Sequence, residues 1–335
     1  MLLSDPFPGG SNEFNPQRID LRSRSMFETA PWSQQYSFGF QFQLEQSYLL
    51  DISYVGGDSN NIRKLQPLNQ GYLHPGGMVS NPFPDWARLS DHLASNGSAN
   101  YNALQMSLRR AMSGGLAFNM NYTWSKALGN TQDNLSGGAS ANLVRPQNAY
   151  DLAADYGRMV FDQAHRLVFN WIWEIPFASD GPARHVLGGW QFNGIWTSTS
   201  GSPIGIRGPD RSRTRSQNAR ADCIGDPHGP RTVEQFFNTA AFAIAQNGTF
   251  GNCGVAALSG WPHHNMDMSL FKSFGLGFSE DARLQIRWEF FNAFNTPQFD
   301  NPENRVHNRR FGITTRVRDP LREGRVIQFG LKFIF

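Results

Sequence analysis

In "GGLAFNMNYTWSKAL" (114–128), Leu116, Phe118, Met120, Tyr122 and Trp124 fall on every second position. Ala117, Asn119, Asn121, Thr123 and Ser125 alternate with them. A period of two excludes a helix, whose apolar residues recur every three or four positions, and specifies a strand with two unlike faces. One face is large and aromatic; the other is small and hydrophilic. The constraint is severe, because each face requires its own solvent.

The pattern recurs along the chain. Tyr36, Phe38, Phe40, Phe42 and Leu44 alternate with Ser37, Gly39, Gln41, Gln43 and Glu45, and Leu50, Ile52 and Tyr54 follow a turn. Further runs carry Leu104, Met106 and Leu108; Leu167, Phe169, Trp171, Trp173 and Ile175; Trp190, Phe192 and Trp196; and Met266, Met268 and Leu270. Leu284, Ile286, Trp288 and Phe290 form another, and the chain ends on Ile327, Phe329, Leu331, Phe333 and Phe335. This reading predicts nine strands of about 9–11 residues, the length that crosses a bilayer at a tilt and longer than the usual strand of a soluble protein. Arg109, Arg287, Glu289 and Lys332 occupy the polar positions of these strands. Such charges suit a watery lumen better than a dry core, with the aromatic face turned to lipid.

The connections sort by length. Short ones fall near 45–47, 112–115, 176–188 and 274–281, and long ones at 57–100, 127–164, 200–264 and 293–325. Strict alternation of short and long connections is the pattern of outer-membrane barrels, with short periplasmic turns and long outer loops. A chain of 335 residues has room for one large β-domain. Its mean hydropathy of −0.46 would suit a soluble protein, but the 27 phenylalanines do not fit that average.

Other classes find little support. The net charge of +3 comes from 30 basic and 27 acidic residues, too even for a nucleic-acid surface. The one basic cluster, "RGPDRSRTRSQNAR" (207–220), reads as a solvated loop. There is no GxSxG, Walker or HExxH motif, "GLGF" (275–278) lacks the rest of a dinucleotide fingerprint, and His263–His264 reads as a surface pair. Arg287 and Glu289 point to charge pairing on one face rather than acid–base catalysis. No enzyme activity and no cofactor are therefore expected. Cys223 and Cys253 lack metal-ligand spacing; a disulfide closing one long loop and two free thiols both remain open. The opening "MLLSDPFPGG" has neither the basic segment nor the apolar core of a signal peptide, as in a mature secreted domain or a fragment without its targeting segment.

"YNALQMSLRRAMSGGLAFNMNYTWSKAL", "FDQAHRLVFNWIWEIPF", "GGWQFNGIWTSTSGSPI", "NMDMSLFKSFGL", "LQIRWEFFNAFNTPQF" and "IQFGLKFIF" resemble, in order and spacing, the C-terminal part of TonB-dependent receptors of the Oar-like branch. The resemblance covers roughly residues 30–335. It implies an all-β, antiparallel transmembrane barrel segment with long extracellular loops, residues 1–30 being a leading segment and 31–335 the barrel part. It also implies outer-membrane location, outer-membrane lipid as partner, and uptake of a small-molecule or glycan ligand. The terminal Phe329, Leu331, Phe333 and Phe335 are similar to the signal read by the barrel-assembly machinery. The family's plug and TonB-contacting segment are not visible, so contact with TonB needs a plug supplied by another part of the protein. An odd count of nine strands also falls short of the family's 22-stranded barrel, implying a fragment. The alternative is a secreted, soluble β-sandwich that binds carbohydrate, with Trp86 and Trp261 available to stack on a sugar and the aromatic faces packed into a dry core.

Overall fold

The structure is a computed structural model that describes residues 20–85, 88–131, 145–176, 184–277, 282–318 and 324–335. One large sheet dominates it. Nine strands lie along its main path: β1 (Trp32–Glu45), β2 (Tyr48–Gln66), β3 (Arg88–Ser113), β4 (Leu116–Gly129), β5 (His165–Ile175), β6 (Trp190–Thr199), β7 (His263–Gly275), β8 (Arg283–Phe291) and β9 (Val326–Ile334). Each pairs with its sequence neighbour, and every pair on this path is antiparallel. Among the described residues β1 and β9 do not pair with each other, so the sheet is open.

Register explains how the sequence pattern becomes two surfaces. Phe42, Leu50, Leu108, Met120, Phe169, Trp196 and Met266 lie opposite one another on successive strands, an apolar row across seven of them. One residue along, Gln41, Asp51, Ser107, Asn121, Val168, Thr197 and Asn265 form the adjoining row on the other face. Since side chains alternate across a strand, a slip of one position anywhere would mix the two surfaces. Glycines help pack the apolar face. A Cβ on Gly194 would stand 2.2 Å from the Trp171 ring, and one on Gly56 would stand 2.1 Å from that of Tyr36.

Three features depart from the sequence reading. Five strands exceed 9–11 residues, the first four and β7: β2 has 19, β3 has 26 and β7 has 13. The connection read as 57–100 is therefore mostly ladder, with Arg63 opposite Ser95 and Leu65 opposite Leu93. Beyond the apolar band polar residues fall on both faces of this ribbon, so "GDSNNIRKLQ" loses the alternation while keeping the hydrogen bonds. Secondly, the short strand Asp20–Arg24 pairs parallel to the start of β3, in an otherwise antiparallel sheet. Thirdly, the connection 176–188 carries a one-turn helix, Arg184–Leu187.

The buried apolar core is not on the sheet's aromatic face. Phe38, Phe40, Phe329 and Leu331 there are 66%, 56%, 72% and 71% exposed. The core lies among the long connections, where Ile204, Ile206, Ala221, Phe236, Phe237, Phe242 and Cys253 pack together. The two stacked sheets that a sandwich needs are not found among the described residues, and that alternative is not favoured.

Candidate functional site

The polar face is the first candidate surface. Arg109 lies opposite Leu49 and Asn119, and Lys332 lies opposite Gln285. Arg287 faces Phe271 and Gly330, and Glu289 faces Ser269 and Gln328. All four charged residues are on the face of Gln41 and Asn121. Arg287 and Glu289 make no ion pair among the described residues. The Arg287 guanidinium instead donates from Nε to Gln285 Oε1 (2.7 Å) and stands 4.6 Å from the centre of the Phe271 ring. The charge pairing read from their spacing is thus replaced by a nearer amide and an aromatic face, which satisfy a guanidinium without a carboxylate.

Lys272 and Arg110 fall on the apolar face. Lys272 is in line with Trp190 and Ile286. Its ammonium donates to the Gly188 carbonyl and lies 5.4 Å from the Trp190 ring and 5.0 Å from that of Phe274. Arg110 lies over Tyr48 at 5.3 Å and donates to the Ser113 carbonyl (3.1 Å). Both reach backbone carbonyls of the short connections while staying against aromatic rings of the apolar face, and Lys272 is only 3% exposed. The alternating pattern places these residues on the wrong face; only their nearness to a turn signals how they are accommodated.

The long connections make a packed module rather than solvated loops. Cys223 and Cys253 are joined by a disulfide, with Cα atoms 5.0 Å apart. Phe237 meets Phe311 at 5.0 Å between ring centres and Phe242 at 5.5 Å, linking segments 236–242 and 311. Trp261 packs on Phe236 (4.7 Å) and Phe299 (5.1 Å) and donates from Nε1 to Thr314 Oγ1 (2.9 Å), so it ties connections together. Trp86 lies outside the described residues.

A buried polar network fixes three connections to one another. Gln70 donates to the Gln147 carbonyl (2.7 Å) and accepts from Ala149 N (2.8 Å). Gln147 donates to the Gly251 carbonyl (2.9 Å) and accepts from Arg220 N (2.7 Å). Arg220 forms an ion pair with Asp155, both nearly buried. Burial pushes the Asp155 carboxyl above its ordinary value, and the Arg220 guanidinium opposes this only in part. The basic cluster at 207–220 therefore differs from the solvated loop expected. Ser212, Thr214, Asn218 and Arg220 are buried, and the Asp210 carboxylate accepts from Ser212 N (2.9 Å) and Ser216 N (3.0 Å), curling the segment inward.

Among the described residues, two of the cavities open at this end of the sheet. One, of 530 Å³, lies over the polar face and includes His263, Asn265 and Asp267 of β7 with Gln298 and Arg318. His263 and His264 lie within β7, and His264 Nδ1 contacts Ser198 Oγ at 2.9 Å. The other cavity, of 610 Å³, lies between 202–207 and 300–316 and is lined by Arg207, Arg305, Arg310 and Arg316 with Asp300 and Glu303. Arg207 and Arg305 are bridge partners though 98 positions apart in the chain (305 − 207), a juxtaposition that no local motif foretells. No group of three or more potential metal ligands occurs among the described residues. At the far end of the sheet, Phe329, Leu331 and Phe333 share the apolar face with Trp288, and Phe335 is 90% exposed.

These surfaces find a counterpart in the family comparison, where the model described as "Outer membrane beta barrel domain" matches residues 2–328. The chain belongs to the outer membrane beta barrel domain family. Its location is the outer membrane, and the exposed aromatic face belongs to that setting. No helix among the described residues is long and apolar enough to cross a membrane, a fact that says nothing of crossing by strands. No curated protein matches the chain. Among solved structures the chain is similar to the outer membrane transporter YddB from Escherichia coli, at 9% identity and a TM-score of 0.48, covering 94% of this chain and 34% of that one. It is also similar to the FrpB iron transporter from Neisseria meningitidis (9% identity, TM-score 0.46, 94% and 33%) and to the copper transporter OprC (8%, 0.42, 94% and 34%). The chain spans about a third of the length of each.

Proposed function

We propose that this chain is the C-terminal part of the barrel of a TonB-dependent transporter of the Oar-like branch, taking up a small-molecule or glycan ligand across the outer membrane. The observation that carries the reading is the open sheet itself. Among the described residues its apolar face has no covering layer, its other face is mostly polar with apolar interruptions such as Val168, Ile172 and Phe271, and its two edges are unpaired. Exposed edges invite further strands, so β1 and β9 join the rest of a larger barrel. The chain is then a fragment, residues 31–335 forming barrel and 1–30 leading into it.

In this arrangement the long-connection module faces outwards and the short connections face the periplasm. Outer-membrane lipid covers Phe118 and its row, while Arg109, Arg287, Glu289 and Lys332 face the lumen or a plug. Phe329, Leu331, Phe333 and Phe335 present the barrel-assembly signal at the periplasmic end. TonB acts only where another part of the protein supplies a plug. Ligand is taken first by the module, and the polar face is its passage. The reading assigns no catalytic residue and no cofactor.

Topology tests this directly. Single cysteines at Arg309 in the module and at Ser113, where β3 ends at a short connection, are treated in intact cells with a membrane-impermeant thiol reagent. Arg309→Cys is labelled at once, and Ser113→Cys only after the outer membrane is opened. Labelling of both in intact cells, or of neither, contradicts the reading.

A further inference from the structure

The cavity of 610 Å³ has an unbalanced charge. Four guanidinium groups, those of Arg207, Arg305, Arg310 and Arg316, share its lining with two carboxylates. One carboxylate is already committed: Glu303 takes both hydrogen bonds of an Arg305 fork, Nε to Oε1 at 2.8 Å and Nη2 to Oε2 at 3.1 Å. The Asp300 carboxylate accepts from Asn301 N at 2.8 Å. Arg207 has no such partner. It is partly buried, its buried Nε has no hydrogen bond, and among the described residues its guanidinium makes no ion pair. Burial and the neighbouring Arg305 charge both lower its proton affinity, against which Glu303 acts from a distance. A guanidinium removed from water without a counter-charge is costly. Here that cost is held in the wall of a cavity within the usual size for small-ligand sites.

We infer that this cavity binds a small polyanion, a molecule bearing two or more carboxylate or phosphate groups, with Arg207 as its central counter-charge. Guanidinium groups match both oxyanions through paired N–H donors. The exposed Arg310 and Arg316 draw the anion towards Arg207, which is partly buried and makes no ion pair among the described residues. The inference rests on the transporter reading only for the side from which ligand arrives; binding itself is a property of the module.

The test uses the purified full chain in detergent and isothermal titration with three probes of similar reach: tricarballylate, inorganic pyrophosphate and neutral maltotriose. Either anion binds and maltotriose does not; the tighter anion names the oxyanion class. Arg207→Met keeps the side-chain length, removes a partly buried charge, and weakens anion binding about tenfold or more, the size of one lost charge-assisted hydrogen bond. Arg207→Lys retains part of the affinity, and Arg309→Met, exposed and outside the cavity lining, retains all of it. Raising the salt concentration weakens anion binding. The inference is overturned if neither anion binds, if maltotriose binds as well as the anions, or if Arg309→Met and Arg207→Met behave alike. Because binding is read on purified protein, topological labelling that fails leaves this result standing. Equally, a null titration leaves the topology intact.

Discussion

Phe40 on the sheet is 56% exposed, whereas Phe237 in the module of long connections is 1% exposed. The same residue type thus meets two different surroundings in one chain. On the sheet the aromatic side chains form rows with nothing of the protein above them, and the lipid of the outer membrane supplies the apolar medium. In the module the water outside supplies none, so apolar residues from distant segments must cover one another. Two solvents therefore demand two kinds of order: alternation along a strand for the first, and a closed core with a disulfide for the second. The polar groups follow the same division. Lys272 and Arg110 meet turn carbonyls and aromatic rings on the apolar face, while Gln70, Gln147, Asp155 and Arg220 bury their polar groups in mutual hydrogen bonds.

The largest effects are expected in the module. Phe237→Ala leaves a hole in its core and costs about 3–5 kcal/mol, read as a lower urea midpoint for module proteolysis while the strands stay protected. Replacing both Cys223 and Cys253 by Ser frees a loop closed over 30 positions and costs about 4 kcal/mol in the chain-entropy account. Limited proteolysis then cuts the module first; unchanged resistance would remove the staple from the account. On the sheet, Phe118→Arg costs about 2–4 kcal/mol if its depth is mid-bilayer, measured by reversible unfolding from lipid vesicles. Asn119→Arg, its neighbour on the polar face, costs well under 1 kcal/mol by the same reasoning. Equal penalties at the two positions would erase the distinction between the faces.

The smallest effect concerns pH. Arg305 holds the Glu303 carboxyl below its ordinary value. A depressed carboxyl adds stability above the unfolded value of about 4.3, and that contribution is lost as pH falls through the lower folded value. Glu303 is partly exposed, so solvent screens the pair. Glu303→Gln accordingly flattens the module's stability between pH 5 and 3 by a few tenths of a kcal/mol (on the order of a weak surface pair).

How much of this was legible in the sequence follows from the same contrast. Leu116 to Trp124 announce their strand because each face has one solvent along its whole length. Asp58 to Gln66 do not, because polar residues fall on both faces there and the ladder with Asn100 to His92 leaves no period behind. The parallel strand Asp20–Arg24 is a single short segment whose partner lies about 70 positions away, beyond any local signal. The cysteines were visible as a pair of residues, but what they staple was not: Phe237, Phe242 and Phe311 come together only through tertiary packing. The arginine cavity is hidden for the same reason. Arg207 sits inside a segment that looks like a solvated basic loop, and its partner Arg305 comes from another connection. Alternation encodes a surface against a uniform solvent; a core or a cavity built from distant segments leaves no such trace.

The central claim is that the two faces of one sheet meet two solvents. It is tested most directly by spin labels placed one at a time at residues 117 to 123 in lipid vesicles, with accessibility to oxygen and to a water-soluble nickel complex measured at each. The account predicts high oxygen and low nickel accessibility at 118, 120 and 122, and the reverse at 117, 119, 121 and 123. If both probes are excluded from 118, 120 and 122, or if neither probe alternates, the aromatic face is not in lipid and the account is wrong.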